Sequence, residues 1–478
     1  MDFRPALHIL MRILVIAGTA LLSCIPVALI YHEPAFPFVY TAAIALLMAL
    51  CVYGLSGNLA LTEFHRREAY FSVTISWLVV SLVGALPFLF SGAIPGFIDA
   101  FFESVSGFTT TGSSILTDIE SLPKSVLFWR SMTHWIGGLG IIVLVIIIMP
   151  SLNIGSYNLF TLESSFQEKI HPKIKSVGRR LLYIYLSLTL VETVFLLAGG
   201  MNLYESLCHA FGTVATGGFS PKNTSVGGYS PYIQYVIAVF MVLAGINFVI
   251  HYYAVKRQFQ KIKQNEELKF YLFVILFSGL FITGILFFQT DRSFEQAFRE
   301  SFFQVASIIT CTGFATADYL LWPAVGWYII FFLMFFGGST GSTAGGIKMA
   351  RHLVALKNVR HTLRIVNAPN AVIPLRINHR PISYEDNNGI LTFILWYMMI
   401  FFAGGLLLMF LGSDVATAFS SVATAMGGIG PGLGTVGPAS NFAHLSGASK
   451  IALSAFMVLG RLEIYTVVML FTSWFWKN

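Results

Sequence analysis

The chain has 478 residues, of which 56% are hydrophobic and only 11% charged, with a formal net charge of +7 and a mean hydropathy of +0.75. This composition excludes a soluble globular protein, because the chain carries too little polar surface to cover a water-facing exterior. Its apolar runs match the ~20 residues that cross a ~30 Å hydrocarbon layer, and their recurrence predicts about ten crossings.

In chain order the runs fall at 9–31, 35–59, 70–92, 126–149, 180–200, 230–255, 269–289, 322–347, 389–411 and 447–475. The first follows Arg4 and Arg12, contains Pro26 and lacks a small-residue cleavage site ahead of a polar domain, so a retained helix is expected rather than a removed leader. After this first helical pair one order recurs four times: an apolar run, an acidic residue or two, a short semi-apolar segment, a glycine turn, and a second apolar run. The short segments are 100–108, 204–213, 295–309 and 414–425, and their turns read TTTGSS (109–114), ATGGFS (215–220), TCTGFAT (310–316) and GGIGPGLG (427–434). Internal repetition at a long period is read before single motifs, since it sets the architecture. Each short segment is too short to span as a helix, which predicts a re-entrant helix and loop. Irregular backbone at that depth is tolerated only when buried in protein or lining a watery cavity, so four such loops belong around one axis. The expected fold is an all-α polytopic membrane protein: an amino-terminal helix pair (1–62) and four pseudo-repeated helix, pore-loop, helix units (63–150, 151–262, 263–365 and 366–478) around one ion pore.

Such loops suit a dehydrating cation. Backbone carbonyls replace its water without fixed negative charge, and glycine leaves no side chain in the passage. The narrow ring is expected at Gly112, Gly218, Gly313 and Gly430, with Thr110, Thr111, Thr216, Gly217, Thr312 and Ile429 above and below; sequence alone does not separate Gly217 from Gly218. Carbonyls of Thr111, Gly112, Thr216, Gly217, Thr312, Gly313, Ile429 and Gly430 are the expected ion ligands. The acids Asp99, Glu103, Glu205, Asp291, Glu295, Glu300 and Asp414 read as a group that draws cations to the entrance.

The run after the third turn is interrupted by FFGGSTGSTAGGIK (335–348), with five glycines and four hydroxyl residues. Glycine is a weak helix former and hydroxyl side chains compete for backbone bonds, so a continuous helix is disfavoured. Gly338, Ser339, Thr340, Gly341, Ser342, Thr343, Ala344, Gly345 and Gly346 are read as a mobile loop below the ring that obstructs conduction at rest; a close-packing small-residue face is the alternative. Arg461, with Glu463 nearby, sits in an apolar helix, where an arginine is costly. It is expected to pair with an acid or with loop carbonyls, or to act as an electrostatic barrier. Lys348 is a second gate contact or an interfacial anchor.

The basic residues are not spread evenly. Lys169, Lys173, Lys175, Arg179 and Arg180; Lys256, Arg257, Lys261, Lys263 and Lys269; Arg351, Lys357, Arg360, Arg364, Arg376 and Arg380; and Arg66 with Arg67 all fall on one side if the helices alternate. That side is cytoplasmic by the positive-inside rule, which places both termini there and argues for anionic lipid or a protein partner, not nucleic acid. Cys24, Cys51, Cys208 and Cys311 stand singly, implying no disulfide framework or zinc site. His134, His209 and Glu192 lack metal-ligand spacing, so packing roles are expected and no enzyme chemistry or covalent cofactor follows.

The four turns, the interruption GGSTGSTAGGIK and Arg461 together resemble the Trk/Ktr/HKT superfamily, most closely its TrkH-type bacterial potassium uptake proteins, over essentially the whole chain. The resemblance implies a potassium-selective pore in the bacterial cytoplasmic (inner) membrane, a homodimer with one pore per subunit, and a cytoplasmic TrkA-like nucleotide-binding regulatory ring on the basic face. It gives Gly112, Gly218, Gly313 and Gly430 the filter roles, residues 338–346 the gating loop, and Arg461 the nearby basic residue. The chain has no P-loop or dinucleotide fingerprint, so nucleotide would belong to the partner. The fourth turn departs from relatives that place asparagine before the last filter glycine: here Met426, Gly427 and Gly428 precede Ile429, which puts strict potassium over sodium selection in doubt. A potassium symporter coupled to protons or sodium is the alternative function, favoured if paired inverted repeats enclosed an occluded site.

Overall fold

The computed structural model describes residues 4–56, 66–143, 174–371 and 373–476. The expected unit boundaries at 62/63 and 150/151, and Lys169 and Lys173, lie outside the described residues. The described helices run α1 Arg4–Leu22, α2 Cys24–Ile30, α3 Phe36–Ser56, α4 Arg66–Phe90, α5 Phe97–Phe108, α6 Lys124–Val143, α7 Ile174–Ala198, α8 Leu203–Val214, α9 Pro231–Ala244, α10 Phe248–Val255, α11 Phe259–Gln264, α12 Glu266–Gln289, α13 Phe294–Ile309, α14 Ala324–Leu333, α15 Met349–Asn367, α16 Tyr384–Phe410, α17 Val415–Gly427, α18 Gly447–Arg461, α19 Ile464–Val468 and α20 Ser473–Trp476.

Many polar side chains are buried beside an extensive apolar core, and large apolar side chains also cover the exterior, unlike the surface of a water-soluble fold. The four short helices α5, α8, α13 and α17 are exposed at their first turns and buried beyond them, although they carry Ser104, Ser106, Ser206, Thr213, Ser301, Ser307, Ser420, Ser421 and Thr424. The long helices around them expose stripes such as Phe273, Phe277 and Phe281 on α12, and Leu395, Phe402 and Leu406 on α16. That distribution has a physical reason in hydrocarbon, where apolar surface faces lipid at no cost and every backbone polar group must be satisfied internally. Polar starts are marked by side-chain caps: Asn202, Ser293 and Asp414 accept from Glu205, Gln296 and Thr417 backbone N–H groups, opening α8, α13 and α17. The amino-terminal pair is tied to the rest through Glu33, whose carboxylate accepts from the backbone N–H groups of Lys124 (2.7 Å) and Ser125 (2.8 Å) at the start of α6.

Of the ten expected runs, 126–149 extends outside the described residues, and not all of the others are single spanning helices. Six helices among the described residues are long and apolar enough to span, and up to eight spans result if two bent pairs are each counted once. The run 230–255 bends by 100° between α9 and α10, and 447–475 bends by 116° between α18 and the segment from Ile464 onward. Gly245 to Asn247 and Leu462 to Glu463 interrupt these helices, and Glu463 takes a left-handed φ of 63°. The run 322–347 holds only the ten-residue α14 before its glycine-rich segment begins. Among the described residues the all-α expectation holds apart from the bridge of Phe336 with Ile347 and a short hairpin that pairs Arg376 with Pro381 and Ile377 with Arg380.

Candidate functional site

The four short helices end in one backbone device. Two residues before each expected ring glycine, φ is left-handed at Thr110 (53°), Thr216 (55°), Cys311 (57°) and Gly428 (67°). It is left-handed again at Gly112 (84°), Gly218 (79°), Gly313 (84°) and Gly430 (100°). Between them, Thr111, Gly217, Thr312 and Ile429 donate their N–H back five residues to Ser106, Gly212, Ser307 and Thr424, at 2.8, 2.8, 2.8 and 3.0 Å. This six-to-one bond is the Schellman closure of a helix C-terminus. In backbone register, therefore, Gly218 and not Gly217 stands with Gly112, Gly313 and Gly430. The departure in the fourth turn also acquires a reason: Gly428 takes without strain the conformation that Thr110, Thr216 and Cys311 hold at a cost.

The turns close on one another in chain order. A Cβ at Gly112 would lie 2.2 Å from the Gly217 carbonyl oxygen; at Gly218, 1.9 Å from that of Thr312; and at Gly313, 1.9 Å from that of Ile429. At Gly430 it would lie 3.0 Å from the Thr111 oxygen and 3.2 Å from that of Gly112, which joins the fourth turn to the first. Gly112, Gly218 and Gly313 thus have no room for a Cβ, Gly430 is tightly enclosed, and each glycine is approached by backbone oxygen of a neighbouring turn. Hydroxyl groups stiffen it from behind, with Thr109 bonded to Thr111 at 2.8 Å, Thr310 to Thr312 at 2.7 Å, and Ser113 Oγ donating to the Gly430 carbonyl at 3.1 Å. His134 packs directly behind Gly217 and against Phe219, with ring centroids 4.0 Å apart. His209 bonds to the Glu205 carbonyl and to Ser220 Oγ, a satisfied core histidine. Among the described residues no group of three or more His, Cys, Asp or Glu side chains is placed to hold a metal ion.

The acids expected to form an open entrance group are mostly neutralised by partners. Glu103 is buried, with Arg130 Nε at 2.6 Å, and it also accepts from Ser114 Oγ and the Ile115 N–H, both at 2.9 Å. Asp99 pairs with Lys450 at 2.6 Å, Glu205 with Lys222 at 3.5 Å, Glu300 with Arg292 at 2.8 Å and Glu295 with Arg299 at 2.8 Å. Asp414 caps α17, and its bonds to Thr417 hold its carboxyl below the ordinary aspartate range. One of these pairs is long-range, Lys450 on α18 reaching Asp99 on α5, and Arg130 on α6 also donates to the Ser220 carbonyl beyond α8 at 3.1 Å.

The glycine-rich segment lies against the C-termini of the short helices. Phe336 and Ile347 pair as a bridge at its neck, and Met349 N–H donates to Gly338 at 3.2 Å. Its body is seated on the bend between α9 and α10, where Ser339 N–H donates to the Gly245 carbonyl (2.9 Å) and Phe248 N–H to that of Gly341 (3.2 Å). Thr343 Oγ1 donates to the Val214 carbonyl at the end of α8 (3.0 Å), and a Cβ at Gly345 would meet the Gly427 oxygen of α17 at 2.2 Å. Ser342 Oγ bonds to the Ser339 carbonyl, Lys348 Nζ to that of Ala344, and Thr340 to Glu267. Arg461 takes carbonyls rather than an acid: Nη1 donates to Thr343 at 2.7 Å and Nη2 to Gly137 at 3.0 Å. Glu463 instead pairs with Arg351, whose guanidinium lies 3.6 Å over the Phe393 ring. Residues 338–346, Lys348 and Arg461 are therefore brought together. Sequence reasoning missed Glu267, the Gly245 to Asn247 bend and the Arg351 partnership; the available signals were an acid opening an apolar run and a Gly-Ile-Asn break inside another.

Lipid-facing helices wrapped around a buried, polar, carbonyl-rich centre define a polytopic membrane protein. The TrkH family, described as a cation transport protein, matches residues 40–476. The chain is 33% identical over 487 residues to the Trk system potassium uptake protein TrkH of Halomonas elongata and 35% identical to that of Salmonella typhimurium, covering 100% of each chain in both cases. The crystal structure of the potassium transporter TrkH from Vibrio parahaemolyticus superposes with a TM-score of 0.92 at 31% identity, again over 100% of both chains. The chain belongs to the TrkH family; it is a transport protein of that family and not an enzyme.

Proposed function

We propose that the protein carries potassium into a bacterial cell across the cytoplasmic membrane, by channel-like permeation through a filter formed by the four turns. The observation that carries this reading is the closed ring of glycine-to-carbonyl contacts, from Gly112 to Gly217, Gly218 to Thr312, Gly313 to Ile429 and Gly430 to Thr111. Four short helices ending at one ring direct their partial negative ends to a common point, which favours a cation there. Main-chain oxygens of Thr111, Gly112, Thr216, Gly217, Thr312, Gly313, Ile429 and Gly430 replace the ion's water while binding it loosely enough for release. The relatives' designation as potassium uptake proteins supports potassium as the cargo.

In this reading the chain divides into the pair 1–62 and pore units 63–150, 151–262, 263–365 and 366–478. Residues 338–346, with Lys348 and Arg461, form a gate that is seated in the conformation described here. The basic cytoplasmic side receives a TrkA-like nucleotide-binding ring and anionic lipid, both termini lie on that side, and two copies associate with one pore each. The test is ion flux in liposomes under an imposed voltage, comparing potassium, rubidium, sodium and lithium. Electrogenic flux favouring potassium and rubidium supports permeation; electrically silent, obligatorily coupled exchange overturns it. Deleting residues 338–344 tests the gate, with higher flux expected and unchanged flux in inserted protein against it.

A further inference from the structure

Glu267 is 1% exposed and lies in the first turn of α12, where none of the roles assigned above requires an acid. A single oxygen, Oε1, accepts from Thr340 N–H at 2.7 Å, Thr340 Oγ1 at 3.1 Å and Ala350 N–H at 2.9 Å. Thr340 belongs to the glycine-rich loop, whereas Ala350 lies in the first turn of α15, whose own N-cap residue Lys348 offers no side-chain cap. Glu267 thus caps α15 from a neighbouring helix, and the carboxylate is further stabilised by the positive end of that helix. Its other oxygen, Oε2, has no partner among the described residues. The adjacent Glu266 pairs with Lys357 further along α15, and its N–H donates to Asn378 Oδ1 at 2.8 Å beside the small hairpin. The start of α12 therefore grips α15 at two points and reaches the loop through the inner one.

We propose that Glu267 is a positioning residue that latches the loop to α15, so that the loop leaves its seat only when this shared oxygen lets go of Thr340 or when α15 moves with it. The inference rests on the gate reading above, and it gives the cytoplasmic side a mechanical route to the loop: α15 runs from the buried end where Ala350 is held to exposed Arg360 and Arg364.

The test is basal rubidium flux per folded protein in liposomes without any cytoplasmic partner. Glu267→Ala is expected to raise it about tenfold, corresponding to ~1.4 kcal/mol in the seated-to-released equilibrium. Glu267→Gln places an amide oxygen where Oε1 accepts and its NH2 where Oε2 is unpartnered, so flux stays within about threefold of the parent. In a chain lacking residues 338–344, Glu267→Ala is expected to add nothing, a result that a general packing defect would not produce. If that deletion alone leaves flux unchanged, the gate reading fails and takes the latch with it. If the deletion raises flux but Glu267→Ala does not, or if Glu267→Ala raises it further in the deleted chain, the latch alone is overturned. Should Glu267→Ala not fold, Thr340→Val removes one of the three bonds and leaves Ala350 capped; a rise of about threefold supports the latch and no rise overturns it.

Discussion

Replacing Arg461 separates the two things its guanidinium does. It is 6% exposed and bonds to Thr343 in the loop (2.7 Å) and to Gly137 in α6 (3.0 Å). Only the first bond differs between a seated and a released loop, because Gly137 does not travel with it. A hydrogen bond to a charged donor is worth ~1.5–3 kcal/mol, so Arg461→Ala shifts the loop equilibrium toward release by about 10- to 150-fold. Removing the positive charge lowers the barrier to a passing cation and acts in the same direction. Arg461→Lys keeps the charge but loses the planar fork that reaches both carbonyls, and it is expected to fall between parent and Ala. The assay is rubidium uptake into liposomes, normalised to protein that elutes as a single folded species. Parent-level flux from well-folded Arg461→Ala would refute both the tether and the barrier.

Three further outcomes follow from the ring and its supports. Gly218→Ala, at φ 79° and with its Cβ 1.9 Å from the Thr312 oxygen, must turn that carbonyl away; potassium over sodium preference should fall, as measured by flux ratios under one voltage. Gly217→Ala meets a side chain instead, His134 Nδ1 at 1.6 Å, so pairing it with His134→Ala should restore flux that the single substitution loses. Arg130→Ala leaves Glu103 buried and uncompensated, and breaking such a pair costs ~3–5 kcal/mol; a sharply lower thermal unfolding midpoint is expected, with a smaller loss for Glu103→Gln.

The parts legible in the sequence were those written as local composition. The four short helices begin and end within a few residues of their expected limits because polar caps and glycine turns bound them: 295–309 against Phe294–Ile309, and 204–213 against Leu203–Val214. The assignment of Gly218 over Gly217 was not legible, since it depends on the sign of φ at Thr216 two positions earlier. The two bends were missed for a related reason. An apolar run such as 230–255 has the length of a span, and nothing local says that Gly245 must open its carbonyl to Ser339 nearly one hundred residues later. Glu267 was invisible because an acid beside Glu266 at a helix start reads as an ordinary first-turn carboxylate; only the folded chain turns it toward Thr340 and Ala350.

The pairing of the entrance acids changes where cation preference must originate. Six of the seven expected carboxylates have a basic partner, or serve as a helix cap, so the field they project outward is much smaller than their number suggests. Lys450 to Asp99 ties α18 to α5, and Arg130 to the Ser220 carbonyl ties α6 to the segment after α8, which is a scaffolding geometry. Among the pairs of these acids only Arg130 with Glu103 is buried on both sides; such a pair contributes little net stability but fixes register, because displacement leaves a charge uncompensated. In the proposed filter the tolerance for error is small: Gly112, Gly218 and Gly313 approach neighbouring carbonyls so closely that a methyl group cannot be admitted. In the proposed reading Asp99 and Glu103 therefore act as ties between neighbouring helices, and attraction and selection are assigned to main-chain oxygen and helix ends at the ring.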